Sequence, residues 1–233
     1  EYLGIVESDD YVDKHMFEVL YSVAKSNDLD VVKSNYITFK TSNNAYAAEY
    51  ESVCLGNVEY YNKVLCPVED TKTFTFQLNT WTGLYKLSFL NENNIRHNET
   101  PGASYQDNGF WFQTFALAKR VMFVNQAFYH YRQDNPNSSI NAKGKVFCMN
   151  EEYNFIREFL FSHNDIKDKL MMPYFYKRFY NYMHTYDRIA EEYKLDFLMQ
   201  FSKELHESYE SGRFNLFDIP DEWIKGIIAR IYD

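Results

Sequence analysis

The sequence predicts a mixed α/β sheet with helices, followed by an all-helical C-terminal portion. Three observations predict it. The first forty residues alternate strand, helix and strand. Beyond Asn150, apolar residues recur at helical spacing almost without a break. Of the 233 residues, 45% are hydrophobic, which is enough to bury a sizeable core. The boundary is placed near residue 145, dividing the chain into an α/β portion at 1–145 and a helical portion at 146–233.

The elements follow in order. Leu3 to Val6 is a short apolar run that ends in the acidic cluster Glu7-Ser8-Asp9-Asp10. Asp13 is suited to cap a helix whose apolar face is Met16, Phe17, Leu20, Val23 and Ala24, with Asn27 as its stop. Asp30 to Tyr36 reads as a second strand, extended by or paired with Ile37-Thr38-Phe39, which makes a βαβ unit and a partly parallel sheet. Residues 41–80 are polar and mixed; Val58 to Tyr61 and Phe74 to Leu78 are the strand candidates there. A helix is expected around Lys86 to Asn93, a loop at Pro101-Gly102, and a helix from Asp107 to about Lys119. Arg120 to Val124 and Ala127 to Arg132 read as two short strands. In the helical portion, Met149, Tyr153, Ile156 and Leu160 form one stripe, and Met172, Tyr176, Phe179, Tyr180 and Met183 another. Leu198, Phe201, Leu205 and Tyr209 form a third, closed by Gly212, and a last helix is expected to bury Trp223, Ile224, Ile227, Ile228 and Ile231.

Composition excludes several functions. The eight glycines never lie closer than seven positions apart. A G-x-G-x-x-G fingerprint and a Walker loop both need closer glycines, so neither phosphate-cradling loop exists here. A net charge of −9 argues against general nucleic-acid binding, which needs a lysine- or arginine-rich face. Cys54, Cys66 and Cys148 are odd in number and form no CxxC pair, as expected for a reduced, cytoplasmic setting. No apolar run approaches the roughly 18 residues of a membrane span. Glu1 leads directly into a strand, so the chain is expected to be a fragment of something longer.

The acidic cluster stands where an α/β sheet places its ligands, just past a strand. Glu7 and Asp9 are two apart and point the same way on an extended backbone, so both can serve one hard cation such as Mg²⁺ or Mn²⁺. A solvated acidic loop leading into the first helix is the other reading of the same residues.

Residues 2–13, Tyr-Leu-Gly-Ile-Val-Glu-Ser-Asp-Asp-Tyr-Val-Asp, resemble the metal-binding segment of family 2 glycosyltransferases of the GT-A fold. Three later segments agree in order. Trp81 to Tyr85, Lys86 to Leu90 and Asn94-Ile95-Arg96 resemble the stretch that precedes the catalytic acid in bacterial members. Gln106-Asp107-Asn108-Gly109-Phe110-Trp111-Phe112 resembles the catalytic Glu-Asp segment, and Phe128 to Arg132 with Asn137 to Ile140 resembles the motif that closes the catalytic domain.

The resemblance implies the rear part of a partial GT-A (Rossmann-like) sheet, without the N-terminal nucleotide-binding half. It implies transfer of a sugar, with inversion, from a nucleotide-sugar donor (a UDP-sugar in most members) to a saccharide or lipid-linked acceptor. The setting it implies is cell-surface polysaccharide synthesis in bacteria, with a Mg²⁺ or Mn²⁺ cofactor. Carried over residue by residue, Asp9 is the metal or diphosphate ligand, Glu7 stands on the ribose or metal side, Asp107 is the general base, His130 is a late metal ligand and Arg132 contacts the diphosphate. Two positions depart from the family pattern: Glu7 replaces the usual first Asp, and Gln106 replaces the Glu before the base. With Gln106 there, the sequence provides no like charge to raise the pKa of Asp107.

For single residues the structural readings stay open. Asp107 also suits a helix start, His130 an aromatic strand, and Arg132 a surface pair with Asp134. Trp81 and Trp111 suit core or acceptor-wall packing. A chain lacking the front of its sheet is expected to have little transferase activity alone. Its uncovered surface is expected to form a homodimer or lie under the helical tail. Lys167, Lys169, Lys177 and Arg178, set among Met and aromatic residues, could meet an anionic lipid-linked acceptor at the inner membrane face, with ordinary helix packing as the plainer alternative. The competing functional class is a non-catalytic scaffold module derived from such an enzyme, against which the joint presence of Asp9 and Asp107 argues.

Overall fold

A computed structural model describes residues 1–42, 45–101, 105–135, 145–211, 215 and 218–232. Gly102, Gly144, Gly212 and the Asn137 to Ile140 motif lie outside the described residues.

The sheet is built around β3 (Val31–Ser42), whose β-branched start is fully buried at Val31 and Val32. On one side β3 runs parallel to β6 (Val121–Arg132) along almost its whole length. On the other it pairs antiparallel, first with β5 (Gly83–Lys86) and then with β4 (Ala45–Glu51). The outer strands are β1 (Tyr2–Gly4), antiparallel to β5, and β2 (Tyr11–Val12), antiparallel to β6. The strand order is therefore β1-β5-β3-β6-β2, with β4 on the remaining part of β3. β1, α1 (Met16–Ser26) and β3 form the expected strand-helix-strand unit, with β5 inserted between its two strands.

Several elements differ from expectation. The 120–132 region is one strand carrying a bulge opposite Asn35, because Asn35 satisfies three groups there. Its Oδ1 accepts from Val53 N–H at 2.9 Å and from Tyr61 OH at 2.7 Å, and its Nδ2 donates to Asn125 Oδ1 at 3.1 Å. Val58–Tyr60 and Thr71–Thr75 are 3-10 turns rather than strands. Phe74 and Phe76 there are anchored by packing on Trp111, Phe112, Phe115 and Phe123, not by a ladder. Asp13 stands two residues ahead of the cap position of α1: its Oδ1 accepts His15 N–H at 2.8 Å and its carbonyl accepts Met16 N–H at 3.0 Å.

α2 (Leu87–Glu92) and α3 (Gln106–Leu117) follow as expected. The helical portion comprises α4 (Cys148–Ser162), α5 (Asn164–Arg188), α6 (Glu191–Glu210) and α7 (Glu222–Tyr232). Their apolar stripes are buried at Met149, Tyr153, Ile156 and Leu160, and at Phe201 and Leu205, whereas Trp223 is 64% exposed. None of the described helices is long and apolar enough to cross a membrane. Of the four cations expected on a lipid-facing surface, Arg178 is buried against Glu204, Lys177 donates to Phe76 O at 2.8 Å, and Lys169 pairs with Glu69 at 2.8 Å. They do not form one outward face. At the opposite end, Leu3, Phe17 and Tyr21 beside β1 are exposed, and an open cleft of about 580 Å³ lies among Tyr2, Gly4, Phe17, Tyr21 and Leu84.

Candidate active site

The acidic loop 7–10 joins β1 to β2 and is held from below by Tyr129 of β6. The Tyr129 hydroxyl accepts Glu7 N–H at 3.0 Å and donates to Asp10 Oδ2 at 2.7 Å. The other Asp10 oxygen accepts Arg132 N–H at 2.8 Å. Asp10, which the sequence singled out only as part of the cluster, is thus the structural member of the trio. Asp9 accepts from Asn135 Nδ2 at 2.6 Å through Oδ2. Among the described residues, no hydrogen bond reaches the Glu7 carboxylate. Burial raises the Glu7 pKa, and repulsion from Asp10, Asp9 and Asp107 adds to it, with His97 opposing. The same four carboxylates raise Tyr131, after burial. The fold therefore brings Glu7, Asp9, Asp10 and Asp107, from the two ends of the α/β portion, into one field.

Below this cluster lies an aromatic floor. Tyr129 and Tyr131, two apart on β6, share a face and stack on Trp81 at 4.2 and 5.2 Å between ring centres. Trp81 closes the other side against Tyr36 at 4.9 Å. Both tryptophans singled out in the sequence, Trp81 and Trp111, are core residues.

Asp107 is the second residue of α3, entered through Tyr105 at φ +68°. Its Oδ1 accepts from Asn108, through N–H at 3.1 Å and Nδ2 at 3.2 Å. In the first turn of the helix its negative charge is favoured by the helix dipole. Burial nevertheless raises its pKa above the ordinary carboxylate range. Desolvation thus supplies the shift that Gln106 does not. The Gln106 side chain is turned away to Thr100, donating to its Oγ1 at 2.8 Å.

The helical portion docks directly behind Asp107. Gly109 N–H donates to Glu152 Oε1 at 2.7 Å, and Asn98 Nδ2 donates to Oε2 at 3.1 Å. A Cβ at position 109 would stand 2.3 Å from that oxygen, so only glycine allows α3 and α4 to approach this closely. Asn181 of α5 donates to Asn108 Oδ1 at 2.8 Å. Burial, with the Asp107 charge adding to it, pushes the Glu152 pKa up to about 7. Sequence reasoning missed Tyr129 and Glu152. For Glu152 a signal existed, since it falls three residues after Met149, on the stripe that faces the core.

His130 and Arg132 occupy the other face of β6. The His130 ring stacks on Tyr11 at 4.3 Å between ring centres and 10° between planes. Burial lowers its pKa, and the charge it senses is Asp13. Its buried Nδ1 has no hydrogen-bond partner among the described residues. It is not brought together with Glu7 and Asp9, because strand alternation turns it away from Tyr129 and Tyr131. The Arg132 guanidinium pairs with Asp134 Oδ1 at 2.6 Å, and Asp134 Oδ2 receives Thr41 N–H at 2.6 Å. Its surface pair therefore exists, while its backbone serves the cluster.

No group of three or more His, Cys, Asp or Glu side chains able to hold a metal occurs among the described residues. The donor chemistry at Glu7 and Asp9 nonetheless fits Mg²⁺ or Mn²⁺. Such ions commonly take about one or two carboxylates and draw their remaining oxygens from phosphate and water. Crowded like charge at Glu7 is what a cation would relieve.

No family model matches the chain. Over 137 residues, 57% of this chain and 44% of the relative, it is 28% identical to glycosyltransferase GlyG of Streptococcus pneumoniae. Over 143 residues, 59% and 39% respectively, it is 28% identical to EpsJ of Bacillus subtilis, named an uncharacterized glycosyltransferase. Over 187 residues, 76% and 51%, it is 28% identical to the cholesterol galactosyltransferase of Borreliella burgdorferi. Among solved structures, S. aureus TarS 1–349 is similar over 94% of this chain and 70% of that one, at 15% identity and a TM-score of 0.45. Its complex with UDP-GlcNAc gives 92%, 69%, 14% and 0.46. The chain spans about half, or somewhat less, of the length of the curated relatives it matches.

Proposed function

We propose that this chain is part of a glycosyltransferase that moves a sugar from a nucleotide-sugar donor, a UDP-sugar, to a hydroxyl of a saccharide or lipid-linked acceptor. The observation that carries this is the shared field of Glu7, Asp9 and the half-buried Asp107. Relatives named glycosyltransferases support the class.

In this mechanism Asp107 is the general base. As the acceptor oxygen bonds to the anomeric carbon and the bond to the donor diphosphate breaks, the acceptor proton passes to the Asp107 carboxylate. Attack from the side opposite the leaving group inverts the carbon. A pKa raised by burial strengthens the Asp107 carboxylate as a base. Glu7 and Asp9 would hold a Mg²⁺ or Mn²⁺ ion, which would offset the charge developing on the departing diphosphate. Arg132 can turn to the diphosphate only by leaving Asp134. The whole protein would work in cell-surface polysaccharide synthesis at the inner face of the membrane.

The test is titration with UDP, in the presence of Mn²⁺, of a protein that carries these residues together with a nucleotide-binding half. Metal-dependent binding that Asp9→Ala abolishes is the expected result. Binding indifferent to metal and to Asp9 would overturn the assignment and favour a scaffold module.

A further inference from the structure

A cavity of about 690 Å³ opens between the 71–75 turn and the middle of α5, within the range of roughly 300–1,000 Å³ usual for small-molecule sites. Met172, Pro173 and Tyr180 provide apolar wall; Lys72, Lys177 and Asn181 provide the polar groups used below.

The first observation is charge. The chain carries a net −9, yet the two charged side chains on this wall are both lysines. Lys72 has a long contact of 3.7 Å with Glu59. Lys177 donates to the Phe76 carbonyl at 2.8 Å and lies 5.1 Å from the Trp111 ring centre, with no carboxylate partner among the described residues. Behind it Lys33 is buried and donates to Gln77 O at 3.1 Å. Burial lowers Lys177 to about 8 and Lys33 to about 7, a sign that cations here lack the anion that would stabilise them. A half-desolvated ammonium beside an apolar wall favours a ligand with both an anionic head and an apolar body.

The second observation is connection to the base. Asn181, on the cavity wall, donates to Asn108 Oδ1 at 2.8 Å, and Asn108 Nδ2 donates to Asp107 Oδ1 at 3.2 Å. Two hydrogen bonds thus link the cavity to the residue proposed to deprotonate the acceptor.

We infer that this cavity binds an anionic amphiphile, with its alkyl body against Met172, Pro173 and Tyr180 and a phosphate-type head on Lys177 and Lys72. Resting on the glycosyltransferase reading, this ligand is the lipid portion of the acceptor. A complete lipid-linked saccharide exceeds the volume, so the cavity takes one alkyl segment with its head group.

The experiment is calorimetric titration of the 233-residue chain, without any donor, using dodecyl phosphate and dodecyl maltoside below their micellar concentrations. Saturable binding of dodecyl phosphate is expected, with dodecyl maltoside weaker by about tenfold or more. Lys177→Gln should weaken the phosphate by about tenfold, Lys72→Gln by a few-fold, and Lys177→Arg little. Met172→Trp should block both amphiphiles. If Lys177→Gln does not fold, Lys72→Gln and Met172→Trp decide. Equal binding of the two amphiphiles, indifference to these substitutions, or no binding would each overturn the site. UDP–Mn²⁺ titration is run separately. With that titration run on a protein that includes the nucleotide-binding half, UDP binding without dodecyl phosphate binding sinks the cavity alone, and the converse sinks the transferase reading while leaving a lipid site.

Discussion

Two carboxylate centres in this protein are built on opposite plans. At the front, Glu7, Asp9 and Asp10 crowd like charges into a half-open loop, with Asp107 near enough to add to the repulsion. At the back, Glu204 of α6 is buried and fully engaged. It pairs with the Arg178 guanidinium, and it accepts from Tyr182 OH at 2.8 Å, Asn150 Nδ2 at 3.0 Å and Gln200 Nε2 at 2.9 Å. Among the described residues, the front centre leaves the Glu7 carboxylate without a donor; the back centre leaves Glu204 no unused capacity. A charge satisfied by its own chain serves the fold, and a charge left crowded and open serves a ligand. Each expectation below tests that division.

The largest effect belongs to the front. Asp107→Asn in the proposed glycosyltransferase should lower sugar transfer by about 10²–10⁴-fold, the usual contribution of a positioned base. UDP–Mn²⁺ affinity and melting temperature should stay close to those of the parent. An unaffected rate would remove Asp107 from the chemistry.

The back centre should respond in stability instead. Glu204→Ala leaves Arg178 buried without its counter-charge and should cost about 3–5 kcal/mol in denaturant unfolding. Donor binding per folded molecule should be unchanged. If this substitution cost less than about 1 kcal/mol, the buried pair would not be what orders α5 on α6.

Between the two centres stands Glu152, joining α4 to the start of α3. Its folded pKa of about 7 lies above the ordinary 4.5 of an unfolded glutamate, because burial disfavours the ionised form. The stability it contributes is therefore fully present below about 4.5 and is lost as pH rises through about 7. Over that window the chain should lose about 3 kcal/mol through this group. Glu152→Gln cannot ionise and should flatten the profile, as read by urea unfolding at pH 5, 6, 7 and 8. A profile identical to the parent's would place the titration elsewhere.

How far the sequence carried the description follows the same division. The β1-α1-β3 unit and α3 were legible because short-range periodicity and turn residues fix them. β4 was not, since Tyr46-Ala47-Ala48-Glu49-Tyr50 has little intrinsic strand preference and becomes a strand only against the edge of β3. The 58–60 and 71–75 turns were misread as strands because their aromatic residues are buried by distant rings rather than by neighbours. At the site, the carboxylates were legible as a motif at Glu7, Asp9 and Asp107. What holds them was not, because Tyr129 and Glu152 reach them across 122 and 43 positions of sequence. His130 fell in the right motif and on the wrong face, a distinction that depends on the bulge before Tyr129.

The smallest effect is the most discriminating for the front centre. Tyr129 is fully buried, and its one hydroxyl serves two groups of the acidic loop, Glu7 N–H at 3.0 Å and Asp10 Oδ2 at 2.7 Å. Tyr129→Phe keeps the ring on Trp81 and removes only that oxygen, so the aromatic floor should survive. The cost expected from two unpaired partly buried groups is about 1–3 kcal/mol. The loop should also lose its fixed geometry. Asp10 would lose a donor that holds its pKa down against burial, and Glu7 would lose its backbone anchor. Mn²⁺-dependent UDP binding should therefore weaken by a few-fold and shift towards higher pH, because Asp10 loses a hydrogen bond that favours its ionised form. A substitution that lowered stability but left the pH dependence of binding unchanged would mean that Tyr129 supports the sheet and not the site. The front loop would then owe its order to other contacts, Arg132 N–H and Asn135 Nδ2 among them.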